Sequence, residues 1–363
     1  AITSLPVLPQ RLLLNPLPDL LQLDPSLDLR QRAPNGLQGD LSIRGATFGQ
    51  TLVLLNGRRM NDPQSGHHSL DIPVPLEAVQ SVEILRGAGS TLYGSDALGG
   101  VVNVITAKPQ DTWQARLRLA AGSFGSQQQS FLFSGFHKHL YQSLSASRDF
   151  STGFLPNRDY RNLALASTTS YASTTVDLAY ADKPFGAENF YGAYPSWERT
   201  KTWFAGLRQG LGQRTEAALS FRRHTDLFYL FRDNPQRYQN HHAAESFQAS
   251  LRRRDPLPRN FTLFTGAELF SDKIESTNLG RHSRARGAAY SALYIRALHR
   301  FSFNAGLRSE SYRGAFDQLS PSLSAGYWAA STLKFRAAAS RAFRLPTFTD
   351  LYYRDPANRG NAA

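Results

Sequence analysis

The side chains that could do chemistry in this chain are histidines, carboxylates and arginines, because its 363 residues include no cysteine. The absence of cysteine excludes disulfides, thiolate catalysis and zinc fingers. No G-x-S-x-G, P-loop or H-E-x-x-H motif is present, and no serine, histidine and aspartate share a readable spacing. The sequence therefore predicts no enzyme and no resident cofactor. The acidic residues of predicted loops are expected to be solvated charges: Glu188, Glu198, Asp226 and Asp233.

Two adjacent histidines mark one candidate binding segment, Asn61–Asp71, which reads NDPQSGHHSLD. Imidazoles can ligate iron or cobalt, but adjacent histidines without a carboxylate at fixed spacing are a weak metal signal, so no metal site is predicted. Hydrogen bonding to a bound metal chelate is the favoured interpretation, and a solvated loop is the alternative. The candidate ligand-binding side chains are Gln64, Ser65, His67, His68 and Asp71.

A second candidate segment, Thr225–His242, mixes aromatic with cationic side chains and is predicted to be a loop. Aromatic faces and guanidinium groups together suit the capture of a large, flat or anionic ligand. They suit contact with lipopolysaccharide phosphates, or an aromatic girdle at a membrane interface, nearly as well. The candidate ligand-binding side chains are Tyr229, Arg232, Arg237, Tyr238 and His241.

The chain is strongly basic, with 41 Lys+Arg against 28 Asp+Glu and a formal net charge of +13. Only six of the 41 are lysine, and arginine is the residue that binds carboxylate or phosphate through two parallel hydrogen bonds. Because the arginines are spread along the sequence, an anionic ligand or lipid headgroups are favoured over nucleic acid. No nucleic-acid partner is predicted.

The elements that position these residues are predicted to be β-strands. From Trp113 onward apolar and polar residues alternate, as in the run Phe301–Arg308. Strands of eight to eleven residues with one apolar face are long enough to cross a bilayer at a tilt. Thirteen are predicted, at about 114–122, 128–136, 139–148, 161–171, 174–182, 200–208, 214–224, 243–253, 260–269, 286–297, 300–310, 318–328 and 331–340.

The connections between these strands alternate between short and long after the first hairpin. The predicted long loops are 149–160, 183–199, 225–242, 270–285 and 311–317. Outer-membrane β-barrels have this asymmetry, with tight periplasmic turns and longer loops outside. Because such barrels close with an even number of strands, thirteen predicts an incomplete barrel whose chain ends within an outer loop.

The residues before the barrel are predicted to form a separate globular domain with an α/β character. Residues 1–39 are a lead-in containing an extended piece at Ile2–Leu8, a short helix after Pro18 and a turn at Asn35–Gly36. Residues 40–108 form a compact core of short strands separated by glycine-bearing turns. The predicted domains are therefore 1–110 and 111–363. The core strands are predicted at Leu41–Arg44, Thr51–Asn56, Val79–Leu85 and Val101–Thr106.

Several motifs, in the same order along the chain, resemble those of the TonB-dependent outer-membrane receptors. Within that family, the plug motifs are most similar to those of the branch that takes up cobalamin and siderophores. The resemblance covers the chain from about residue 15 to its end. The motifs similar to the family's plug domain are Ser42–Gly45, Val53–Gly57, Val82–Gly87 and Ser90–Asn103, and those similar to its barrel are Arg341–Phe348 and Asp350–Tyr353.

This resemblance implies an all-β fold in which a 22-stranded barrel, with about 13 strands present here, surrounds a small plug. It also implies a monomer in the outer membrane, a TonB-type energy-coupling partner in the periplasm, and contact with lipid and lipopolysaccharide. The implied activity is uptake of a scarce large nutrient. The resemblance favours a ferric siderophore or cobalamin as that nutrient, and haem and oligosaccharides are the alternatives. No recognisable TonB box precedes the plug in residues 1–14. The competing readings are a passive porin or adhesin barrel and a soluble β-sandwich carbohydrate-binding module.

The resemblance also assigns roles to residues of the plug. Arg44 and Arg86, beside Gly45 and Gly87, match arginines that pair with barrel glutamates and lock the plug in the family. Those glutamates fall beyond the end of this sequence, and ordinary surface arginines are the alternative. The segment Asn61–Asp71 matches an apical plug loop that faces ligand.

Overall fold

The computed structural model describes residues 2–7, 16–33, 36–107, 112–298, 300–312, 317–356 and 358–361. Strands dominate these ranges, and they form a five-stranded sheet, a two-stranded hairpin and a thirteen-stranded sheet. The first group is β1 Ile2–Pro6, α1 Leu17–Leu21, β2 Leu27–Ala33, β3 Leu37–Ile43, β4 Thr51–Leu55, β5 Arg58–Arg59, β6 Val79–Arg86, α2 Ser90–Tyr93 and β7 Gly100–Thr106. We call this group the plug, after its predicted role.

The large sheet that follows is called the barrel sheet. Its strands are β8 Gln114–Ala121, β9 Gln127–His137, β10 Leu140–Ser151, β11 Tyr160–Tyr171, β12 Thr174–Gly186, β13 Trp197–Leu211, β14 Thr215–Tyr229, β15 Gln239–Leu257, β16 Phe261–Ser276, β17 Gly280–Leu298, β18 Phe301–Tyr312, β19 Asp317–Trp328 and β20 Lys334–Ser340. A short helix, α3 Phe348–Tyr352, comes after the last strand. No helix among the described residues combines the length and apolar character needed to cross a membrane.

The plug is built around a mixed sheet with the strand order β1-β6-β7-β4-β5. Its two central strands, β4 and β7, pair in parallel and are rich in valine and leucine. Every residue of β4 is buried, as expected for a strand covered on both faces. Side chains such as Val53, Ile84 and Val102 form the core of the plug with helix α1.

The barrel sheet is an antiparallel meander in which each strand pairs with its neighbours in sequence, from β8 to β20. The predicted alternation is visible as exposure: Leu117, Leu269 and Leu323 are 70%, 63% and 60% exposed on the outer face. Polar residues on the opposite face are buried on β16 and β19, as Glu268, Asp272 and Ser320 show. The prediction of thirteen membrane-type strands is confirmed for the described part of the chain.

The strands run further than predicted, so two of the predicted long loops are wrong in extent. Loop 270–285 shrinks to a turn between Ser276 and Gly280, and loop 225–242 shrinks because β14 continues to Tyr229 and β15 starts at Gln239. The added segments lack a regular alternation: Gln239–His242 is polar throughout, and Leu227, Phe228 and Tyr229 are three apolar residues in a row. An alternation of apolar and polar residues cannot mark such extensions.

The lead-in is part of the plug rather than a separate tail. Strand β1 pairs with β6, where Thr3 lies opposite Ile84. Helix α1 carries Pro18 in its first turn, as predicted. Several predictions involve residues outside those described: the domain boundary at 110/111, much of the TonB-box region 1–14, the turn residue Asn35, the short connection at His299 and most of loop 311–317.

Candidate functional site

The plug loop Asn61–Asp71 folds back on itself and presents polar side chains to the barrel sheet. It contains a single 3₁₀ turn, Gly66–His68, whose start is capped by the Ser65 hydroxyl accepting from the His67 amide. The carboxylate of Asp62 accepts a hydrogen bond from the Gln64 amide at 2.8 Å. These local bonds hold the loop in one conformation, so its outward-facing groups are preorganised.

Strand β14 supplies the facing groups from the barrel sheet. Its alternation places Arg222, His224 and Asp226 on the inner side, where all three are buried. Their neighbours Phe221 and Arg223 point outward and are exposed. The same period of two that creates the apolar outer surface therefore creates a polar inner stripe.

The loop and the strand meet in a buried network of charges. His224 lies between two plug carboxylates, with Nδ1 3.0 Å from Asp62 Oδ2 and Nε2 3.2 Å from Asp71 Oδ2. Arg222 Nη1 is 2.7 Å from Asp62 Oδ2, and Lys183 Nζ on β12 is 2.8 Å from Asp71 Oδ1. Each plug carboxylate is thus held by one permanent cation of the barrel sheet.

The second histidine of the network comes from the plug itself. His68 Nδ1 is 3.6 Å from Asp71 Oδ2, and its Nε2 is 3.6 Å from Asp226 Oδ2 on β14. Its ring lies 4.7 Å from that of His224. Next to them, Glu198 accepts hydrogen bonds from Gln38 and Tyr191. We call the group the junction cluster: Asp62, His68, Asp71, Lys183, Glu198, Arg222, His224 and Asp226.

Electrostatics favour the charged forms of the three plug members of the junction cluster in spite of their burial. Burial alone would lower the pKa of His68, but Asp226 and Asp71 outweigh it and raise that pKa well above its ordinary value. Burial alone would raise the pKa of Asp71, but Lys183 and the two histidines hold that pKa well below its ordinary range. The pKa of Asp62 is lowered in the same way, chiefly by Arg222. The cluster is therefore a set of mutually dependent charges.

The candidate ligand-binding residues of the plug loop lie in three environments. Gln64 Nε2 donates to Asp226 at 3.1 Å, and both His68 and Asp71 belong to the junction cluster. Ser65 caps the 3₁₀ turn. His67 points the other way, stacks on Phe48 at 4.4 Å and contacts Asp40 at 2.6 Å.

The candidate residues of the second segment lie at the end of the β14–β15 hairpin and on its flanks. Tyr229 is on β14 and stacks on Trp197, while His241 is exposed on β15. Arg237 lies 4.1 Å over the Phe231 ring, and Tyr238 is 44% exposed. Arg232 pairs with Asp159, a residue of the neighbouring loop. Arg232, Arg237, Tyr238 and His241 are exposed, whereas Tyr229 is half-buried on the outward face of β14.

The proposed latch arginines differ from each other in their surroundings. Arg44 is exposed and adopts a φ of 52°, followed by Gly45 at 80°. Arg86 is inserted into the plug, where it pairs with Asp24 and donates to Ser26 and Thr3. Gly87 follows with a φ of 89°. Pairing with barrel glutamates remains a prediction for both arginines.

We expect Arg86→Ala to loosen the start of the plug, whereas Arg44→Ala should not. Asp24 is 1% exposed at its side chain, and losing its cation should cost about 3 kcal/mol, near the lower end for buried pairs because Arg86 is 18% exposed. Burial alone would raise the pKa of Asp24, but Ser26 and Arg86 outweigh it and lower that pKa. The stabilisation is therefore present above the ordinary carboxyl pKa and lost as pH falls through the lowered one. Hydrogen exchange of residues 17–28 measures it, and equal protection in both variants would contradict the expectation.

A second buried network, the Arg–Glu ladder, lies on strands β15 to β18. Arg308 bridges Glu268 at 2.9 Å and Glu310 at 2.8 Å. Arg286 and Arg252 complete it, at 2.6 Å from Glu310 and 3.0 Å from Glu268. It supports the segment of the plug around helix α2. The contacts with that segment are Arg286 to the Ser95 hydroxyl and Thr91 to the Ser320 carbonyl.

The sequence interpretation missed the barrel half of the site and misassigned two carboxylates. Asp226 and Glu198 are not solvated loop charges, because they lie on strands and are 6% and 1% exposed. The alternation Ser220, Arg222, His224 continues the inner face of β14, and extending it by one step would have placed Asp226 inside. No local signal identifies their partners in the plug.

The chain is similar to two protein families and to several known proteins. Residues 10–101 match the TonB-dependent Receptor Plug Domain, and residues 88–363 match TonB dependent receptor-like, beta-barrel. The iron-regulated outer membrane virulence protein of Vibrio cholerae is 43% identical over 88 residues, which are 22% of this chain and 13% of that protein.

Two further relatives match over most of the chain. The vitamin B12 transporter BtuB of Photobacterium profundum is 23% identical over 343 residues, 89% of this chain and 55% of the transporter. The siderophore receptor PirA of Pseudomonas aeruginosa superposes with a TM-score of 0.74 at 20% identity, over 95% of this chain and 62% of the receptor. At that identity the likeness shows a shared fold. The chain spans a little over half the length of that transporter.

Proposed function

The chain belongs to the TonB-dependent receptors of the outer membrane, and on that basis we propose that it takes part in energy-coupled uptake of a scarce, large nutrient. The family consists of receptors and transporters rather than enzymes. A plug that fills a wide barrel blocks passive flow, so uptake requires the plug to rearrange. The proposed source of work is a TonB-type protein in the periplasm.

The observation that carries this proposal is the set of buried polar contacts between plug and barrel sheet, which lie beside smaller apolar ones such as the cluster of Leu37 with Phe185. The junction cluster and the Arg–Glu ladder hold the plug through ion pairs and hydrogen bonds. Water can replace such contacts when the plug moves, whereas exposing a large apolar interface would cost about 25 cal/mol per Å². Polar contacts of this kind suit a plug that must leave its position in the barrel and return to it.

For the ligand we propose a metal chelate, either a ferric siderophore or cobalamin. The similar proteins named above include a siderophore receptor and a vitamin B12 transporter. The exposed side chains Arg237, Tyr238 and His241 offer an aromatic face and positive charge to such a ligand. Gln64 of the plug loop is proposed to contact the bound chelate from the plug side.

Whole-cell uptake tests the proposal directly. A strain lacking the full-length gene, complemented with the wild type, should accumulate radiolabelled ferric siderophore or cobalamin only when TonB is present. Equal uptake without TonB would identify a passive porin instead. Absence of uptake for every chelate tried, together with partition into buffer without detergent, would favour a soluble carbohydrate-binding module.

We expect a disulfide between the plug and the barrel sheet to stop uptake. A Cβ built at Gly306 on β18 lies 2.8 Å from Thr91 Cγ2 in the plug, so the two positions are adjacent across the interface. Because the chain contains no cysteine, Thr91→Cys with Gly306→Cys introduces the only thiols. Oxidised cells should show uptake reduced at least tenfold, and a membrane-permeant reductant should restore it.

The two single-cysteine variants are the matched controls for this cross-link. Each should transport equally well under oxidising and reducing conditions, because neither can form the bridge. Full transport by the oxidised double variant, with the disulfide verified by mass spectrometry, would show that this part of the plug stays in place during uptake.

A further inference from the structure

Two histidines, one from the plug and one from the barrel sheet, face the same carboxylate oxygen. Asp71 Oδ2 lies 3.6 Å from His68 Nδ1 and 3.2 Å from His224 Nε2. Around a tetrahedral zinc ion with bonds of about 2.0–2.1 Å, neighbouring ligand atoms are separated by roughly 3.3–3.5 Å. The two measured separations are thus close to the edges of such a coordination sphere, and His68, Asp71 and His224 each offer a ligand atom within 4.8 Å of the other two.

One of these atoms lacks a partner although it is buried. Nδ1 of His68 makes no hydrogen bond to any residue that the structure describes, and its side chain is 6% exposed. A buried polar atom without a partner costs about 1–3 kcal/mol in general. Its position beside Asp71 and His224 directs it at the space between the three side chains, where a cation would satisfy it.

The opposite edge of each ring faces a further carboxylate. His68 Nε2 is 3.6 Å from Asp226, and His224 Nδ1 is 3.0 Å from Asp62, although that contact is not aligned as a hydrogen bond. Histidines that bind metals usually direct their other nitrogen at a carboxylate, which orients the ring and fixes its tautomer. The remaining oxygen of Asp71 is held by Lys183. Each candidate ligand therefore has a charged group beside its outer atom, and for Asp71 that contact with Lys183 is a hydrogen bond.

The permanent cations of the cluster lie away from the face between the two histidines. The four carboxylates of the cluster are Asp62, Asp71, Asp226 and Glu198, and its permanent cations are Lys183 and Arg222. Both cations bind at the outer edges of the cluster, so the face between the histidines carries neither.

A second set, His68 with Glu198 and Asp226, shares one histidine and is less suited to a metal. Glu198 is already occupied by hydrogen bonds from Gln38 and Tyr191. A single imidazole beside two carboxylates is also a weaker ligand set for a transition metal than two imidazoles.

We propose that His68, Asp71 and His224 bind a divalent transition-metal ion of the Zn²⁺ class, which cross-links the plug loop to the barrel sheet. Two imidazoles and one carboxylate match the preferences of Zn²⁺ and Co²⁺ over those of Ca²⁺ or Mg²⁺. Three protein ligands leave a fourth position for water. This site is distinct from that of the transported chelate and adds a control over release of the plug.

Metal titration of the full-length protein in detergent, purified without a histidine tag and stripped with a chelator, tests the site. Zn²⁺ should bind with one ion per chain by calorimetry, and Co²⁺ should give the visible absorption of a tetrahedral site. His68→Gln should weaken binding roughly 100-fold or more, whereas Asp62→Asn should weaken it about 10–100-fold through the outer partner. His67→Gln is the matched control and should bind as the wild type.

Hydrogen exchange supplies a readout of the cross-link. Zn²⁺ should slow exchange of residues 61–71 in the wild type and in His67→Gln, but not in His68→Gln. Asp71→Asn, with an uncharged side chain of the same shape, provides a second ligand variant if His68→Gln fails to fold. Binding that is absent from the wild type, or unchanged in both ligand variants, would overturn the proposal.

Discussion

Arg222→Met is expected to detach the plug loop Asn61–Asp71 from the barrel sheet. The Arg222–Asp62 pair is 2.7 Å long, with side chains 3% and 0% exposed. Removing one partner of a buried ion pair typically costs about 3–5 kcal/mol, because the other charge stays desolvated without compensation. Methionine keeps much of the side-chain volume, so the loss reflects charge rather than a cavity.

Hydrogen exchange of the plug loop measures this effect in the full-length protein. A cost of about 3–5 kcal/mol corresponds to roughly a 10²- to 10³-fold loss of protection or more, since every 1.4 kcal/mol is tenfold. Arg223→Met is the matched control. Arg223 follows Arg222 in sequence but points outward. In its pair with Glu245, the side chains of Arg223 and Glu245 are 45% and 36% exposed. Exposed pairs contribute about 0–1 kcal/mol, so this variant should resemble the wild type.

A double variant separates a broken pair from a general disturbance of the loop. Arg222→Met with Asp62→Asn removes both charges, and replacing both partners of a buried pair is often close to neutral. The double variant should therefore recover much of the protection lost by Arg222→Met alone. If it is less protected than the single variant, the ion pair is not what holds the loop.

Arg308→Met is expected to have a comparable effect at the other end of the plug. Arg308 is fully buried and bridges Glu268 and Glu310, so its removal leaves two neighbouring carboxylates without their shared cation. We expect a loss of about 3–5 kcal/mol. Protection should fall in α2 and in the strands of the ladder, while the loop 61–71 keeps its protection.

Arg281→Met serves as the control for the ladder. It lies on β17 and pairs with Glu275, with side chains 82% and 65% exposed, so it should leave stability unchanged within about 0.5 kcal/mol. Hydrogen exchange of residues 89–95 together with the thermal midpoint reports the comparison. A midpoint for Arg308→Met equal to that of Arg281→Met would mean that solvent replaces the missing cation.

The sequence alone was enough to locate most of the fold. Thirteen strands could be placed because a bilayer requires an apolar residue at every second position, as in Phe301–Arg308. The plug strands could be predicted from short apolar runs that lie between glycines. In the structure several of these glycines have positive φ, as does Gly57 at 77°. The strand ends were predicted less well, as for β15, because a segment that is polar throughout, such as Gln239–His242, carries no alternation.

The site could be predicted only in part, and the reason is distance along the chain. The plug loop with His68 and Asp71 stood out in the sequence, but its barrel partner His224 is 153 residues from Asp71. Which inner residue meets the loop depends on the register of every hairpin between them, and a slip of one residue would turn His224 to the lipid.

The sequence by itself determined which residues face lipid and which face the lumen, because that choice repeats locally with a period of two. Only the tertiary structure decided that Asp62, Asp71 and His68 meet Arg222, His224 and Asp226 in one buried cluster. Such a cluster depends on how the whole sheet packs around the plug. It is stable only because opposite charges from distant segments are buried together, and no single segment contains that information.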